Sequence, residues 1–329
     1  MSGDKRGSPG SSQIPGPLLP IRIRIRLMHR YLLHNDEIRD TGVQDLSAGQ
    51  VGLLNGWGVF STIRVYDGVM FAWERHWSRM YTDAARMRVP FPPDREWLTQ
   101  RLQRLMEANL PHANPAWNAT LRVAVVRNRG GMFEGPGPMR EFDVIAFTAD
   151  VNRWGSTVKL GLIPNARYAA SEFAGTKNLS WSENLAWYER AHDQGLDEVV
   201  LLNERGEVSE CTSANIFAVF LEAQGAQVWT PPLASGCLPG VTRALLLEEI
   251  RVAGAQVGEK TLLPADLEAA DEIFITSTTR ELLPVVSVEG LNLRSHGRQS
   301  VSVREQLKKA FTTYVEKYVA SRRRADTIV

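Results

Sequence analysis

The 329-residue chain contains little cysteine and little lysine, and it lacks any long apolar run. Its two cysteines, Cys211 and Cys237, form no repeating disulfide framework, so we expect a reducing, cytoplasmic environment. No stretch of about 18 apolar residues occurs, which argues against a membrane-spanning helix. The six histidines are scattered, without a paired motif or a cysteine partner, so we expect no metal site.

The charges of the chain nearly cancel, since 38 basic and 37 acidic residues leave a formal net charge of +1. This balance argues against a nucleic-acid-binding protein, which would carry a basic surface. A hydrophobic content of 43% and a charged content of 23% are typical of a folded chain rather than a disordered one. The length favours two domains over one core.

The first 27 residues differ in composition from the rest. Residues 1–30 hold six basic groups and one acidic group, and residues 21–26 alternate Ile and Arg with a period of two. Neither the apolar core of a signal peptide nor the helical amphipathicity of a transit peptide is present. We expect residues 1–27 to be a disordered tail outside the domain, and a chain that naturally starts at Met28 is a second hypothesis.

Hydrophobic patterning predicts an α/β (α+β) fold with a smaller N-terminal domain over residues 28–150 and a larger C-terminal domain over residues 156–329. Asp67-Gly68 between two apolar runs is a strong hairpin signal. In the first domain we predict strands over 31–34, 37–39, 59–66, 69–73, 120–126 and 142–148 and helices over 75–87 and 94–109. In the second we predict strands over 158–163, 198–202, 216–220 and 273–276 and helices over 183–194, 242–252 and 303–320.

Lysine is scarce enough for each residue to be considered separately. A catalytic amine must be unprotonated at the working pH, which requires a desolvated or cationic setting that lowers its pKa from about 10.4. Lys177 is distinctive because Ala174, Gly175 and Thr176 precede it and leave room for a ligand. Taken alone, such a segment is more often a surface loop. The other lysines lie in the tail, a turn, a strand start or a polar helix face: Lys5, Lys159, Lys260, Lys308, Lys309 and Lys317.

Three further segments are suited to an anionic or heteroaromatic ligand. Glu210 enters a short run of small polar residues, and beside a ring nitrogen it would keep that nitrogen protonated. The backbone N–H groups of Val241 and Thr242 open a predicted helix, which is an anion site. Ser277 and Thr278 belong to a hydroxyl-rich turn, a second candidate phosphate site. Each feature alone is weak because caps and hydroxyl turns are common.

In chain order, these segments resemble the class IV aminotransferases, the pyridoxal-phosphate enzymes of fold type IV that include branched-chain and D-amino-acid aminotransferases and aminodeoxychorismate lyase. The matching segments are GWGVFSTIRVYDG (56–68), HWSRM (76–80), FAGTKNLS (173–180), VSECTSANIF (208–217), GVTR (240–243) and TSTTRELLPV (276–285). The resemblance extends from Met28 to the last predicted helix, and its ordered motifs make chance a poor explanation.

The resemblance implies a role for each candidate residue. Lys177 would form the internal aldimine with pyridoxal phosphate and then move the proton between the substrate Cα and the cofactor. Glu210 would face the pyridine nitrogen and keep the ring an electron sink. Arg79 would bind the cofactor phosphate through charge-assisted hydrogen bonds. The remaining phosphate contacts would come from Val241, Thr242, Ser277 and Thr278.

The substrate is less well indicated, because the chain departs from each subgroup. Branched-chain enzymes typically have Glu-Gly where this chain has Ser61-Thr62, and D-amino-acid enzymes commonly have tyrosine where it has Phe60. The lyase segment usually has asparagine where it has Ser180. Loop arginines could reach a substrate carboxylate, although most are solvated. The candidate substrate contacts are Phe60, Arg127 and Thr279, with Arg140 as a further loop arginine.

We therefore predict a ping-pong transaminase that moves an amino group from an amino acid, branched-chain-like or D-amino-acid-like, to a 2-oxo acid. The alternative is aminodeoxychorismate lyase, which releases pyruvate and 4-aminobenzoate and needs no amino acceptor. A hypothesis from another class is a pyridoxal-phosphate-binding protein without turnover. The resemblance also implies a homodimer, and we expect neither a nucleic-acid nor a membrane partner.

Overall fold

The computed structural model describes residues 27–43, 49–110, 117–131, 140–294 and 302–326. Almost all of the predicted N-terminal tail therefore lies outside the described residues. The remainder forms two β-sheets with flanking helices, which is the mixed α/β architecture that the sequence predicts. None of the described helices is both long and apolar enough to cross a membrane.

The first sheet has six strands in the order β2-β1-β6-β5-β3-β4, and all neighbouring strands are antiparallel. Both predicted hairpins are confirmed. The predicted strand over 69–73 is too long, because Ala72 adopts a left-handed conformation (φ 51°, ψ 38°) that turns the chain into a helix at Trp73. The strands are β1 (Met28–His34), β2 (Glu37–Asp40), β3 (Gly58–Tyr66), β4 (Val69–Met70), β5 (Ala119–Arg127) and β6 (Phe142–Asp150).

Three helices accompany this sheet: α1 (Val51–Leu54), α2 (Trp73–Arg86) and α3 (Arg95–Asn109). Asp94 begins α3 as predicted, because its carboxylate accepts the Trp97 N–H at 2.7 Å. Leu98, Leu102 and Leu105 recur at helical spacing and are completely buried. The side chains of α2 and α3 thus share one apolar core with β3 and β5.

The second sheet has eight strands in the order β12-β11-β10-β13-β14-β7-β8-β9. It is mixed, because β7 runs parallel to β14 and β8 whereas β10 is antiparallel to β11 and β13. The strands are β7 (Val158–Arg167), β8 (Glu198–Asn203), β9 (Val208–Cys211), β10 (Asn215–Glu222), β11 (Gly225–Thr230), β12 (Ala255–Glu259), β13 (Glu272–Ser277) and β14 (Glu281–Val288).

The helices of the second half are α4 (Ser182–Asp193), α5 (Val241–Glu248), α6 (Pro264–Ala269) and α7 (Val303–Asp326). The predicted helix over 242–252 is shorter than expected. Ile250 N–H donates to Leu245 O at 2.9 Å and closes the last turn, and Val252 then forms a β-bridge with Ala255. The sequence prediction missed α1, α6, β9, β11, β12 and β14.

The segment around Lys177 joins the two halves of the chain at the edge of β3. Val59 forms an antiparallel bridge with Asn178, Phe60 N–H donates to Lys177 O at 3.1 Å, and Leu179 N–H donates to Gly58 O at 2.9 Å. Side-chain packing adds to this, since Phe71 lies in the same apolar cluster as Phe217 and Phe274. The backbone bonds place Lys177 directly beside Phe60.

Candidate active site

A cavity of about 660 Å³ is lined by residues from both sheets. The first sheet and its helices contribute Phe60, Thr62, Arg79 and Arg122 among others, the connector contributes Asn152 and Trp154, and the second half of the chain contributes the remaining wall. The cavity brings together most of the residues selected from the sequence: Phe60, Arg79, Lys177, Glu210, Val241, Thr242, Ser277, Thr278 and Thr279.

The backbone around Lys177 is held on both sides. The Lys177 N–H donates to Asp83 Oδ2 at 3.2 Å, and its carbonyl accepts from β3. Gly175 has a positive φ of 71°, and a Cβ there would lie 2.7 Å from Cys237 O. A larger residue at position 175 would therefore displace the segment, which explains the small residues before Lys177.

The surroundings of the Lys177 amine favour its neutral form. Its Nζ lies 4.6 Å from the centroid of the Phe60 ring and 5.6 Å from that of Trp181. Although the residue as a whole keeps some exposure to the cavity, its amine is desolvated. Desolvation, followed by the charges of Arg79 and Arg122, lowers the pKa of Lys177 to about 7. A substantial fraction of the amine is therefore unprotonated and nucleophilic at neutral pH.

Arg79 as a whole residue keeps some exposure, but its guanidinium is desolvated and has unused donor capacity. It lies on α2, and its Nη2 donates to Ser61 Oγ at 2.8 Å. Its Nε has no hydrogen-bond partner among the residues that the structure describes. Burial lowers the pKa of Arg79 to about 10 against the opposing effect of Asp83, so the side chain is still protonated at pH 7. A buried guanidinium with an unpaired donor at a cavity wall suits an anionic ligand such as phosphate.

Ser61 links Arg79 to His76. The Ser61 Oγ and His76 Nδ1 are 2.7 Å apart. Desolvation, together with the charges of Arg79 and Lys177, lowers the pKa of His76 well below its usual value, so the imidazole is neutral. The Ser61 hydroxyl accepts from Arg79 and shares a second hydrogen bond with His76 Nδ1, whose direction is set by the imidazole tautomer. Arg79 is thereby oriented by a neutral partner that leaves its positive charge available.

The N-terminus of α5 provides a second set of donors at the cavity wall. Val241 and Thr242 line the cavity in the first turn, where backbone N–H groups have no acceptor within the helix. Gly240 precedes them and brings no capping side chain. A Cβ at position 240 would lie 2.0 Å from Asn215 Oδ1, so any other residue here would displace the Asn215 side chain. The exposed amides favour a negative charge at this end of the cavity.

Glu210 lies on β9 with both carboxylate oxygens engaged. Its Oε1 accepts from Arg167 Nε at 3.3 Å, and its Oε2 accepts the Leu238 N–H at 3.0 Å. Arg167 is itself held by Asn184 Oδ1 at 3.0 Å. These contacts hold an acidic side chain at a defined place in the cavity wall.

The hydroxyl-rich segment after β13 also lines the cavity, although the strand extends to Ser277, further than predicted. Ser277 Oγ accepts the Arg280 N–H at 3.2 Å, and Trp154 Nε1 donates to Thr279 O at 2.9 Å. Thr276 Oγ1 has no partner within the described part of the chain. The turn therefore presents Ser277, Thr278 and Thr279 as a hydroxyl-rich wall.

The structure does not bring the loop arginines to this cavity. Arg127 lies over the Trp57 ring at 4.4 Å and donates to the carbonyl oxygens of Arg88 and Arg129. Arg140 is exposed and lies 3.7 Å from Asp36. Both arginines face acceptors of the chain itself rather than the cavity wall.

Comparison with known proteins shows the family. Residues 58–288 match the family model described as amino-transferase class IV, a span that covers more than half of the chain. The chain belongs to the class IV aminotransferases. It is accordingly an enzyme of the aminotransferase type.

Relatives of two substrate classes are similar to this chain. A D-alanine aminotransferase of Bacillus licheniformis is 27% identical over 244 residues, which cover 73% of this chain and 82% of the relative. A branched-chain-amino-acid aminotransferase of Salmonella typhimurium is 28% identical over 261 residues, which cover 72% and 78%. The similar degrees of identity do not separate the two substrate classes.

Solved structures share the fold. The branched-chain amino acid aminotransferase from Escherichia coli superposes with a TM-score of 0.75 at 25% identity, over 87% of this chain and 94% of that one. A hypothetical aminotransferase from Mycobacterium tuberculosis in a PLP-bound form gives a TM-score of 0.72 at 22% identity, over 87% and 98%. The two-sheet architecture is thus that of fold type IV.

Several charged residues at the site of this class IV aminotransferase were missed from the sequence. Arg122 lies with its guanidinium 3.9 Å from the centroid of the Phe60 ring, and Arg167 contacts Glu210. Arg122 had a detectable signal in the sequence, because it is a charged residue in the middle of a largely apolar strand, β5. Arg167 and Arg280 had no such signal in the sequence. They line the cavity only because the strand order of the second sheet places distant segments of the chain together.

Proposed function

We propose that this enzyme uses pyridoxal phosphate to transfer an amino group from an amino acid to a 2-oxo acid. One observation carries the proposal: the desolvated amine of Lys177, with its pKa lowered to about 7, shares one cavity with the buried and incompletely paired guanidinium of Arg79. A nucleophilic amine next to an anion site is the requirement for holding a phosphorylated aldehyde.

The residues of the cavity fit this cofactor by their chemistry. Arg79, the first-turn amides of α5 and the hydroxyls of Ser277 and Thr278 would hold the phosphate, and Glu210 would face the ring nitrogen. When bound, the cofactor supplies an electron sink for charge that develops at the substrate Cα.

Lys177 acts as the general base and acid of the proposed reaction. Its amine, neutral in part at pH 7, takes the proton from the substrate Cα and returns it. A positioned side chain in this role contributes about 10²–10⁴-fold to the rate. Phe60 and Trp181 flank the amine with aromatic rings, and desolvation together with the charges of Arg79 and Arg122 favours its neutral form.

For the substrate, we propose a branched-chain-like or D-amino-acid-like donor, because relatives of both kinds are similar to the chain. Phe60 and Thr279 line the cavity and stay candidate substrate contacts. Arg127 is not carried into this proposal, since its guanidinium is engaged outside the cavity.

We further propose a cytoplasmic homodimer of two-domain subunits, divided between residues 150 and 156. Support for the division comes from the two sheets, which use residues 28–150 and 158–288. Support for the dimer comes from Tyr168, Phe173 and Leu185, which line the cavity and yet are 66%, 45% and 49% exposed. The two buried free thiols of Cys211 and Cys237 suit a reducing compartment.

The test is turnover by the purified protein loaded with pyridoxal phosphate. L- and D-amino donors are screened against 2-oxoglutarate and pyruvate, and we expect product only when an oxo-acid acceptor is present. Pyruvate released from aminodeoxychorismate without an acceptor would identify the lyase instead. Lys177→Ala is the matched control, which stays folded by circular dichroism and loses turnover. Retained transamination in that variant would refute the role of Lys177.

A further inference from the structure

A buried ion pair lies beside the hydroxyl-rich wall, with Arg280 at the edge of the cavity, and has no part in the roles assigned above. Glu198, at the start of β8, is completely buried, and its Oε2 lies 3.0 Å from Arg280 Nη2. The Arg280 side chain is 3% exposed. Its guanidinium carbon lies 3.9 Å from the centroid of the Trp154 ring.

This pair connects two turns that both line the cavity. The first, residues 212–214 between β9 and β10, is held by Glu198, which accepts from Thr212 N–H at 3.2 Å, from the Thr212 hydroxyl and from Ser213 Oγ at 2.7 Å. The second, residues 278–280 between β13 and β14, includes Arg280 itself. Arg280 Nη1 donates to Ser213 Oγ at 2.8 Å and so closes the connection between the turns.

Trp154 completes the arrangement from the connector between the two sheets. Its ring covers the Arg280 guanidinium, and its Nε1 donates to Thr279 O at 2.9 Å. Thr279 is therefore held on both sides, by the indole at its carbonyl and by Arg280 as its neighbour in the chain. The first turn leads into β10 and the second turn follows β13. These strands are neighbours, and Asn215 of β10 pairs with Thr276 of β13, so both turns lie at the same end of the sheet.

A buried ion pair is a poor way to stabilise a fold, because the desolvation of two charges offsets their attraction. Apolar residues of similar volume would often serve stability as well. The arrangement of Glu198 and Arg280 does something that apolar packing cannot, since it specifies the positions of hydroxyl and carbonyl groups in two separate turns through directional bonds. Those turns form the wall where Ser213 and Thr279 meet the cavity.

We infer that Glu198 and Arg280 are positioning residues that fix turns 212–214 and 278–280 in the geometry that binds the amino-acid substrate. The inference rests on the proposed transaminase function. By holding both turns before substrate arrives, the pair removes the cost of ordering them on binding. The phosphate site depends on it less, because Thr278 is its only proposed contact in these turns, whereas Arg79, Ser277 and the amides of α5 lie on other elements.

The test separates positioning from stability through three variants. Glu198→Gln and Arg280→Met each leave one buried group without its partner, so both lower the melting temperature. Glu198→Gln/Arg280→Met removes both charges together and recovers most of that loss. If the pair positions the turns, KM for the amino donor rises about tenfold or more in all three variants, including the stable double variant. The dissociation constant of pyridoxal phosphate, followed by absorbance, changes less than KM.

Asp143→Asn is the matched control. Asp143 is a buried acid of the first sheet that accepts from Asn35 at 2.8 Å and Gln50 at 2.6 Å, away from the cavity. We expect this variant to lower the melting temperature without raising KM. A normal KM in the Glu198→Gln/Arg280→Met variant would overturn the inference and leave the pair a purely structural feature.

Amide hydrogen exchange provides a readout that does not need turnover. Residues 212–214 and 278–280 should exchange about tenfold faster in the double variant than in the parent, while the cores of both sheets exchange at the parental rate. Unchanged exchange in both turns would contradict the inference. A parent protein that exchanges as expected but transfers no amino group would refute the proposed function and leave the positioning of the turns standing.

Discussion

Lys177 shows how neighbours decide the chemistry of a single side chain. A lysine in water has a pKa of about 10.4 and is almost fully protonated at neutral pH. In this cavity, desolvation and the charges of Arg79 and Arg122 lower the pKa to about 7, and Glu210 and Asp83 only partly oppose them. Arg79 therefore serves the candidate anion site and, after desolvation and together with Arg122, favours the neutral form of the adjacent amine.

This pKa predicts a pH dependence for the chain without cofactor. Acetylation of Lys177 by a small anhydride should rise as pH increases through about 7 and level off above it, because the neutral amine is the reactive form.

The same pKa predicts a pH dependence of stability. The folded chain binds fewer protons than the unfolded chain between pH 7 and the pKa of Lys177 in the unfolded chain, so the unfolding free energy should rise with pH across that window. Peptide mass spectrometry measures the labelling, and denaturant titration measures the stability.

Lys177→Met is the control for the stability measurement. Its unfolding free energy should lack the part of the rise with pH that the titration of Lys177 contributes. Lys159 is an exposed lysine on β7, and its labelling in the same sample controls for the change in reagent reactivity with pH. A labelling midpoint for Lys177 several units above 7 would show that the cavity does not favour the neutral amine.

At the scale of elements, close approaches of backbone build the anion site. The start of α5 lies against Asn215, whose Nδ2 donates to Leu238 O at 2.9 Å and whose Oδ1 would have to move to admit a Cβ at Gly240. The edge of β3 similarly holds the Lys177 segment by backbone bonds. Gly240 has an ordinary φ of −67°, which any residue can adopt. The need for glycine at this position therefore comes from packing rather than from backbone conformation.

Gly240→Ala should therefore disturb the start of α5 through overlap rather than through backbone strain. Overpacking of this kind costs about 1–3 kcal/mol of stability. We expect the affinity for inorganic phosphate or pyridoxal phosphate to fall about tenfold as the first-turn amides move. Isothermal titration calorimetry measures the affinity, and urea unfolding measures the stability.

Gly155→Ala is the matched substitution in the connector, where the nearest contact of an added Cβ is Thr157 O at 3.3 Å. It should leave phosphate affinity unchanged. Equal affinities in Gly240→Ala and the parent would mean that the amides of α5 do not contribute to anion binding.

At the scale of the molecule, polar and apolar contacts away from the cavity join the first half of the chain to the second. Tyr66 Oη donates to Glu281 Oε1 at 3.0 Å, Tyr318 Oη donates to Glu74 Oε2 at 2.7 Å, and Phe71 packs on Phe311 with ring centroids 5.8 Å apart. The last helix thus contacts the first half of the chain. Tyr168, Phe173 and Leu185 are exposed apolar side chains at the cavity. Their exposure supports the proposal that a second copy of the chain packs against them.

The prediction at this scale is a solution mass of about twice 36.7 kDa by light scattering after size exclusion. Phe173→Glu should weaken the association, because a charge placed in a covered apolar contact is costly. Leu221→Glu serves as the control, since Leu221 is exposed but does not line the cavity. A monomeric parent at micromolar concentration would contradict the proposed homodimer.

Much of the fold was predictable where local chemistry is strong. Asp67-Gly68 specifies a hairpin, and Asp94 specifies the start of α3, because both act within a few residues. Short strands such as β9 and β12 were missed, since four or five residues carry too little periodicity. The predicted end of β4 was wrong because Ala72 adopts a left-handed conformation that an alanine in the sequence does not indicate.

The sequence alone determined the family, and it selected Lys177, Glu210 and Arg79 as candidate site residues, since these lie in ordered motifs that local residue types make recognisable. Only the tertiary structure decided which other charges reach them. Arg122, Arg167 and Arg280 line the cavity while Arg127 does not, and Glu198 meets Arg280 across 82 residues. The physical reason is that desolvation and charge interactions depend on distances through space, which strand order sets and sequence spacing does not.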